Sequence, residues 1–204
     1  MADTPAEVGF SLAPVRWGPI PEDQLTAAQK AAIDAVMSGP RKHMGGPFAA
    51  LSRSPELMNR VQKVGEYLRF MCPLEKRLGE FAAIIAARHY DQQFEWWAHY
   101  RQAVEAGLKK DIADAVGEGR RPVGMAQDEE VLYDFLTEAL RNNGVCDTTY
   151  ARTVKQYGEQ NMVDILAVAG YYGLLALVMN VARTPVPEGH ALPLPALPLR
   201  AMPE

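Results

Sequence analysis

The placement of proline constrains this chain more than any other feature. Inside a helix proline removes a backbone donor and clashes with the preceding turn, so a long span that avoids it is free to be helical. Of the 15 prolines, ten lie near the two ends, at Pro5, Pro14, Pro19, Pro21, Pro185, Pro187, Pro193, Pro195, Pro198 and Pro203. The other five, Pro40, Pro47, Pro55, Pro73 and Pro122, fall at breaks between periodic segments, and Pro55 and Pro73 stand where a helix tolerates proline, in its first turn. Three regions follow: an extended arm over 1–21, an all-α domain over 22–184, and a Pro-rich arm over 185–204.

Apolar spacing of three and four residues, with start and stop residues, divides the domain into about eight helical segments. They are expected near Leu25–Met37, Phe48–Leu51, Pro55–Phe70, Pro73–His89, Gln92–Ala106, Lys109–Val116, Asp128–Arg141, Asp147–Tyr157 and Asn161–Arg183, the last two, separated by a short break, being counted as one. Asp91 reads as the cap that opens the segment at Gln92, and Gly107 as the residue that closes it. Between Phe81 and Ala87 every residue is apolar, which places that helix in the middle of a bundle. Ile165–Ala182 carries no charge and reaches the length of a membrane span. Gly170, Tyr171, Tyr172, Gly173 and Asn180 dilute it and no basic cluster flanks its start, so it reads instead as a central helix whose glycines let a neighbour approach. In the C-terminal arm Leu192, Leu194, Leu197 and Leu199 alternate, a pattern suited to wrapping the body or a neighbouring subunit.

The charge count of 21 basic against 25 acidic residues, net −4, gives no electrostatic footprint for nucleic acid. Two cysteines, Cys72 and Cys146, with no Cys-x-x-Cys, exclude a disulfide framework and a four-thiolate zinc site within one chain. Asp3 and Glu7, with no basic region ahead of an apolar run, do not read as a secretory signal. The expectation is a cytoplasmic protein without metal, membrane or nucleic-acid partner.

Chemistry is concentrated in Gln92-Gln93-Phe94-Glu95-Trp96-Trp97-Ala98-His99-Tyr100. On a continuous helix Gln92, Glu95 and His99 form one polar stripe, and Glu80 adds a carboxylate from the preceding buried helix. Polar groups among large aromatics must bond to one another or to a ligand. A carboxylate beside an imidazole fixes its tautomer, as general acid/base work requires. The same Glu/His spacing also occurs on exposed helix faces and in metal sites.

At these residues the sequence resembles the carboxymuconolactone decarboxylase family, which includes the alkylhydroperoxidase AhpD branch. The AhpD pattern is Glu, eleven residues, Cys, two residues, Cys, three residues, His; here the same spacing reads Glu80, Gln92, Glu95, His99. Ser54-Pro55-Glu56-Leu57, Ala86-Ala87-Arg88 and Glu105-Ala106-Gly107-Leu108 extend the resemblance, which covers roughly residues 45–120. It implies an AhpD-like multihelical bundle that assembles as a trimer or hexamer. Since Gln92 and Glu95 occupy both redox-cysteine positions, the dithiol relay of AhpD has no counterpart there. The resemblance then favours the decarboxylase branch, whose members act without metal or organic cofactor on a small carboxylated lactone. Loss of carbon dioxide beside a conjugated carbonyl leaves an enolate-like anion, so the site needs a cation for spectator carboxylates and an acid to protonate carbon. His99 with Glu95 or Glu80 is the candidate acid/base. Arg88, Arg41, Lys42 and Arg53 are candidate carboxylate holders, His43 a second proton donor, and Gln92 and Trp96 substrate contacts. Two rivals stay open: a thiol peroxidase with Cys72 or Cys146 beside His99, and a non-catalytic oligomeric binding protein with no pocket reaching His99.

Overall fold

The computed structural model describes residues 14–190 and residue 194, and among these it contains helices and no strands. A 3-10 turn, Glu22–Gln24, precedes eight α-helices: α1 Ala27–Ser38, α2 Pro47–Leu51, α3 Pro55–Phe70, α4 Lys76–His89, α5 Gln93–Glu105, α6 Lys110–Gly117, α7 Gln127–Asn142 and α8 Asp147–Ala182. Of the alternating C-terminal leucines only Leu194 lies within the described residues.

Helix α4 is the axle of the bundle. All seven residues from Phe81 to Ala87 are buried, and α4 packs against α5, α6, α7 and α8. Small alanines on several faces allow that many close neighbours, while Phe81 and Ile84 fill the spaces between them. Arg77 fastens the start of α4 to α7, donating to Glu129 at 2.6 Å and to Asp128 at 2.5 Å with little exposure of its own.

Two helix starts differ from the sequence reading. Pro73 does not open α4; the helix begins at Lys76, with Glu75 at the N-cap position and no side-chain cap bond, so Pro73 belongs to the turn. Asp91 does not cap α5 either. It sits at positive φ (49°) and pairs with Arg88, and the cap is Gln92, whose Oε1 accepts the Glu95 N–H at 2.8 Å.

The expected break between Tyr157 and Asn161 is a single non-helical residue, Gly158, with φ 73° and ψ 167°. Hydrogen bonding otherwise continues from Asp147 to Ala182. By length and composition the apolar part of α8 is sufficient to cross a membrane, and 61% of that stretch is buried within the protein.

Both arms dock on the body at defined points. The Arg16 N–H donates to Ala182 O at 2.9 Å, and Arg53 donates to Gly18 O at 3.0 Å. On the opposite arm Leu194 is buried, and the Gln93 amide both donates to its carbonyl and accepts its N–H, each at 2.9 Å.

Candidate functional site

The fold brings α2, the end of α3, α5, α8 and the connector before α2 around one cavity of about 290 Å³. That is close to the lower end of ligand sites, roughly 300–1,000 Å³, and suits a metabolite-sized guest. His99 and Glu95 project into it from α5, where their spacing of four places them one turn apart on one face. Arg41 and His43 come from the connector, Arg69 from α3, and Tyr171 and Tyr172 from α8.

His99 is held from behind by the buried helix. Its Nδ1 lies 2.6 Å from Glu80 Oε2, and both side chains are almost wholly buried. Of the two partners the sequence left open for His99, Glu95 and Glu80, the structure pairs it with Glu80, from the neighbouring helix. With Nδ1 engaged by a carboxylate, Nε2 is the nitrogen left to exchange a proton with a guest. The edge of Tyr172 against the imidazole, ring centres 4.6 Å apart, fixes the ring plane further.

Glu95 is the unusual group. It is 3% exposed, and neither carboxyl oxygen has a hydrogen-bond partner among the described residues. Burial pushes its pKa well above the ordinary carboxylate range, because a charged form there would lose its hydration without a paired donor. Its carboxyl therefore keeps its proton to higher pH than an exposed carboxylate does, and it lines the cavity.

Arg41 is positioned by three neighbours. Its Nη2 donates to the Tyr171 hydroxyl at 3.2 Å, and its guanidinium lies 4.6 Å from the centre of the Phe48 ring. Gly65 of α3 leaves the room for this arrangement: a Cβ there would come within 2.1 Å of the Tyr171 hydroxyl and 2.9 Å of Arg41 Nη2. Arg69 donates to Gln102 at 3.3 Å, so a second guanidinium is held at the same cavity. His43 folds back over its own connector, where a Cβ at residue 45 would strike the imidazole, so Gly45 is what permits that fold.

Three residues expected at the site lie elsewhere. Gln92 is the helix cap, reaching Asn180 at 3.3 Å rather than the cavity; the stripe argument needs a continuous helix, and the chain turns at Asp91. Trp96 points a quarter-turn away from Glu95, against Gly117 of α6, and Trp97 lines the cavity instead. Arg88, eight residues beyond Glu80, emerges on a different face of α4 and pairs with Asp91. Of the weaker cation candidates, Arg53 is bonded to backbone carbonyls and Lys42 is exposed. Neither cysteine lines the cavity. Cys72 is half-buried, with its thiol pKa pushed up by burial, and Cys146 is exposed beside Glu138. Arg69, Tyr171 and Tyr172 were not selected as site residues from sequence, because nothing local to them marks a polar cluster.

A larger cleft of about 890 Å³ lies on the other side of Trp97, lined by Trp96, Tyr100, Asp114 and Glu118 among others, without either member of the Glu80–His99 pair. Among the described residues no three of His, Cys, Asp and Glu gather into a metal-binding group.

Compared with known proteins, the sequence matches no family model and no curated protein. Its structure does find a counterpart, the crystal structure of an Agrobacterium tumefaciens protein of unknown function, provisionally described as the antioxidant defence protein AhpD. The two align with a TM-score of 0.61 at 16% identity, over 67% of this chain and 94% of that one. The fold is AhpD-like. At this identity the likeness speaks to architecture alone. Within this fold Glu95 and His99 line one cavity, and Glu80 bonds to His99 from α4.

Proposed function

We propose that the protein is a cofactor-free acid/base enzyme acting on a small carboxylated lactone or unsaturated carbonyl acid, by decarboxylation or a related isomerisation or hydration. The observation that carries this reading is a buried Glu95 without a hydrogen-bond partner, its pKa raised by burial, lining the same cavity as His99, Arg41 and Arg69, with Glu80 bonded to His99.

For decarboxylation each group has a task. Arg41 and Arg69 take the spectator carboxylate, which guanidinium binds in a bidentate manner. The bond to the departing carboxylate breaks, carbon dioxide leaves, and the electron pair moves into the adjacent carbonyl as an enolate. Glu95 donates a hydrogen bond to the enolate oxygen as charge develops, in a site where few other polar groups compete. Protonated His99 gives the Nε2 proton to carbon and is reprotonated by water, while Glu80 holds the ring in orientation. One proton is consumed for each carbon dioxide released.

Two observations weigh against the thiol reading: neither cysteine lines the His99 cavity, and burial leaves Cys72 less ionised than a free thiol. The cavity that reaches His99 weighs against a wholly closed polar network of purely structural role. The test is turnover of carboxylated lactones, muconate-type acids and a peroxide by wild type, His99→Ala and the Cys72→Ala/Cys146→Ala pair, followed by absorbance and carbon dioxide release. Acid turnover lost in His99→Ala and kept without both thiols is the expected result. Peroxide consumption that vanishes with the thiols would refute it.

A further inference from the structure

Helix α8 has two working faces. One carries Tyr171, Tyr172 and Leu175 to the cavity. The other leaves Val163, Leu166, Leu174, Leu177 and Val181 exposed, with Gly170, also exposed, in their midst. The intervals from 163 through 181 are three, four, four, three and four, so these six positions fall within an arc of about 80° and run for about 27 Å along the axis. That is the spacing of a helix–helix seam.

Gly170 is the decisive residue. A Cβ built there meets nothing within 4 Å, whereas one at Gly173 would press on Tyr90. The protein's own packing thus explains Gly173 and leaves Gly170 unexplained. Glycine inside a helix weakens it relative to alanine, and the physical gain that offsets this is the close approach of another helix.

Alongside the end of the seam, Val15 and Trp17 are also exposed, and the backbone of Arg16 and Trp17 bonds to Ala182 O. Together these side chains present roughly 600 Å² of apolar surface, the upper end of what one patch on a monomer exposes. Doubled across a two-fold axis, it makes about 1,200 Å², the lower bound of a specific interface. A lipid occupant fits poorly, because most of α8 is already enclosed by its own bundle and only this narrow strip is open.

We infer that two copies of the chain pair antiparallel along the exposed α8 stripe, crossing near Gly170. The seam begins at exposed Glu159 and ends at Arg16, which donates to Val181 O. Antiparallel pairing sets the acid of each copy against the base of the other, and a parallel pair would set like against like. The inference is independent of the proposed chemistry, since the seam faces away from the cavity.

Sedimentation velocity and light scattering in aqueous buffer test it. Wild type is expected as an even multiple of the 22.5 kDa chain. Leu177→Glu, at a position already 56% exposed, is expected to weaken pairing at least tenfold with the circular dichroism spectrum unchanged. Gly170→Ala is expected to weaken pairing while leaving the melting of the dilute single chain unchanged or raised, which loss of a merely structural glycine would not do. Glu159→Arg should loosen the pair and the added Arg16→Glu restore it. A monomer or an odd-numbered assembly would overturn the inference, as would variants that leave the mass unchanged. So would a protein that stays dispersed only in detergent and floats with phosphatidylcholine vesicles.

Discussion

Replacing Glu95 with methionine is expected to make this protein more stable and to remove its chemistry. The Glu95 carboxyl is buried at a cavity that Phe48, Phe94 and Leu175 also line, with both oxygens unpartnered. Burying a polar group without its hydrogen bonds costs about 1–3 kcal/mol, and methionine of similar length fills the space without that cost. In a chain of this size each kcal/mol moves the midpoint by about 2–4 °C, so Glu95→Met should melt roughly 2–12 °C higher. The pH dependence has a definite sign. Because the folded pKa lies above the ordinary value of 4.5, the folded state keeps a proton that the unfolded chain releases. The stabilisation from that proton is whole below about pH 4.5 and is lost as pH rises through the folded pKa; the variant never has it. The advantage of Glu95→Met must therefore widen between pH 5 and pH 8. Arg41, Arg69 and His99 share the cavity, so the variant is compared with its parent at each pH. Thermal melts followed by circular dichroism at three pH values measure this. A variant that melts lower than wild type at pH 8, or an advantage that shrinks with rising pH, would show that Glu95 is ionised and paired, and the donor role would fall.

Further expectations follow from the same geometry. Glu80→Gln, which keeps the shape behind His99 but not the carboxylate, should lower kcat about 10²-fold or more at nearly constant KM, readable in steady-state kinetics on any substrate found. Gly65→Ala pushes the Tyr171 hydroxyl and Arg41 apart, and the loss of one charge-assisted contact, about 1.5–3 kcal/mol, should raise KM roughly ten- to a hundredfold with kcat less affected. An unchanged KM would show that Arg41 does not hold substrate. Phe81→Ala, at the wholly buried centre of α4, should cost about 3–5 kcal/mol in urea unfolding.

The elements were legible in the sequence because their signals are local. Proline marked the breaks, the apolar run of α4 marked the centre, and Gly158 interrupts α8 where the reading placed a boundary. The site was legible only where its members share one helix or follow a familiar spacing: Glu95 and His99 on α5, with Glu80 one helix earlier. Helical periodicity says nothing across a turn, which is why Gln92 was placed on a stripe when it caps the helix. Nor does it say what a distant helix delivers. Arg69 and Tyr172 reach the His99 cavity from positions 30 residues before and 73 after His99, by a packing that no local pattern encodes.

The bond between Gln93 and Leu194 joins residues 101 positions apart, and it grips α5 in its first turn, immediately before Phe94 and Glu95. A stretch that reads as a proline-rich tail is thus a guy-rope on the chemically active helix. Cutting the chain ahead of Leu194 would leave the Gln93 amide with its donor and its acceptor both open, and would slacken the one turn that aims Glu95. Comparisons confined to the two motif-bearing helices would pass over this tether, so relatives matching at every polar position could still differ in how firmly the acid is aimed.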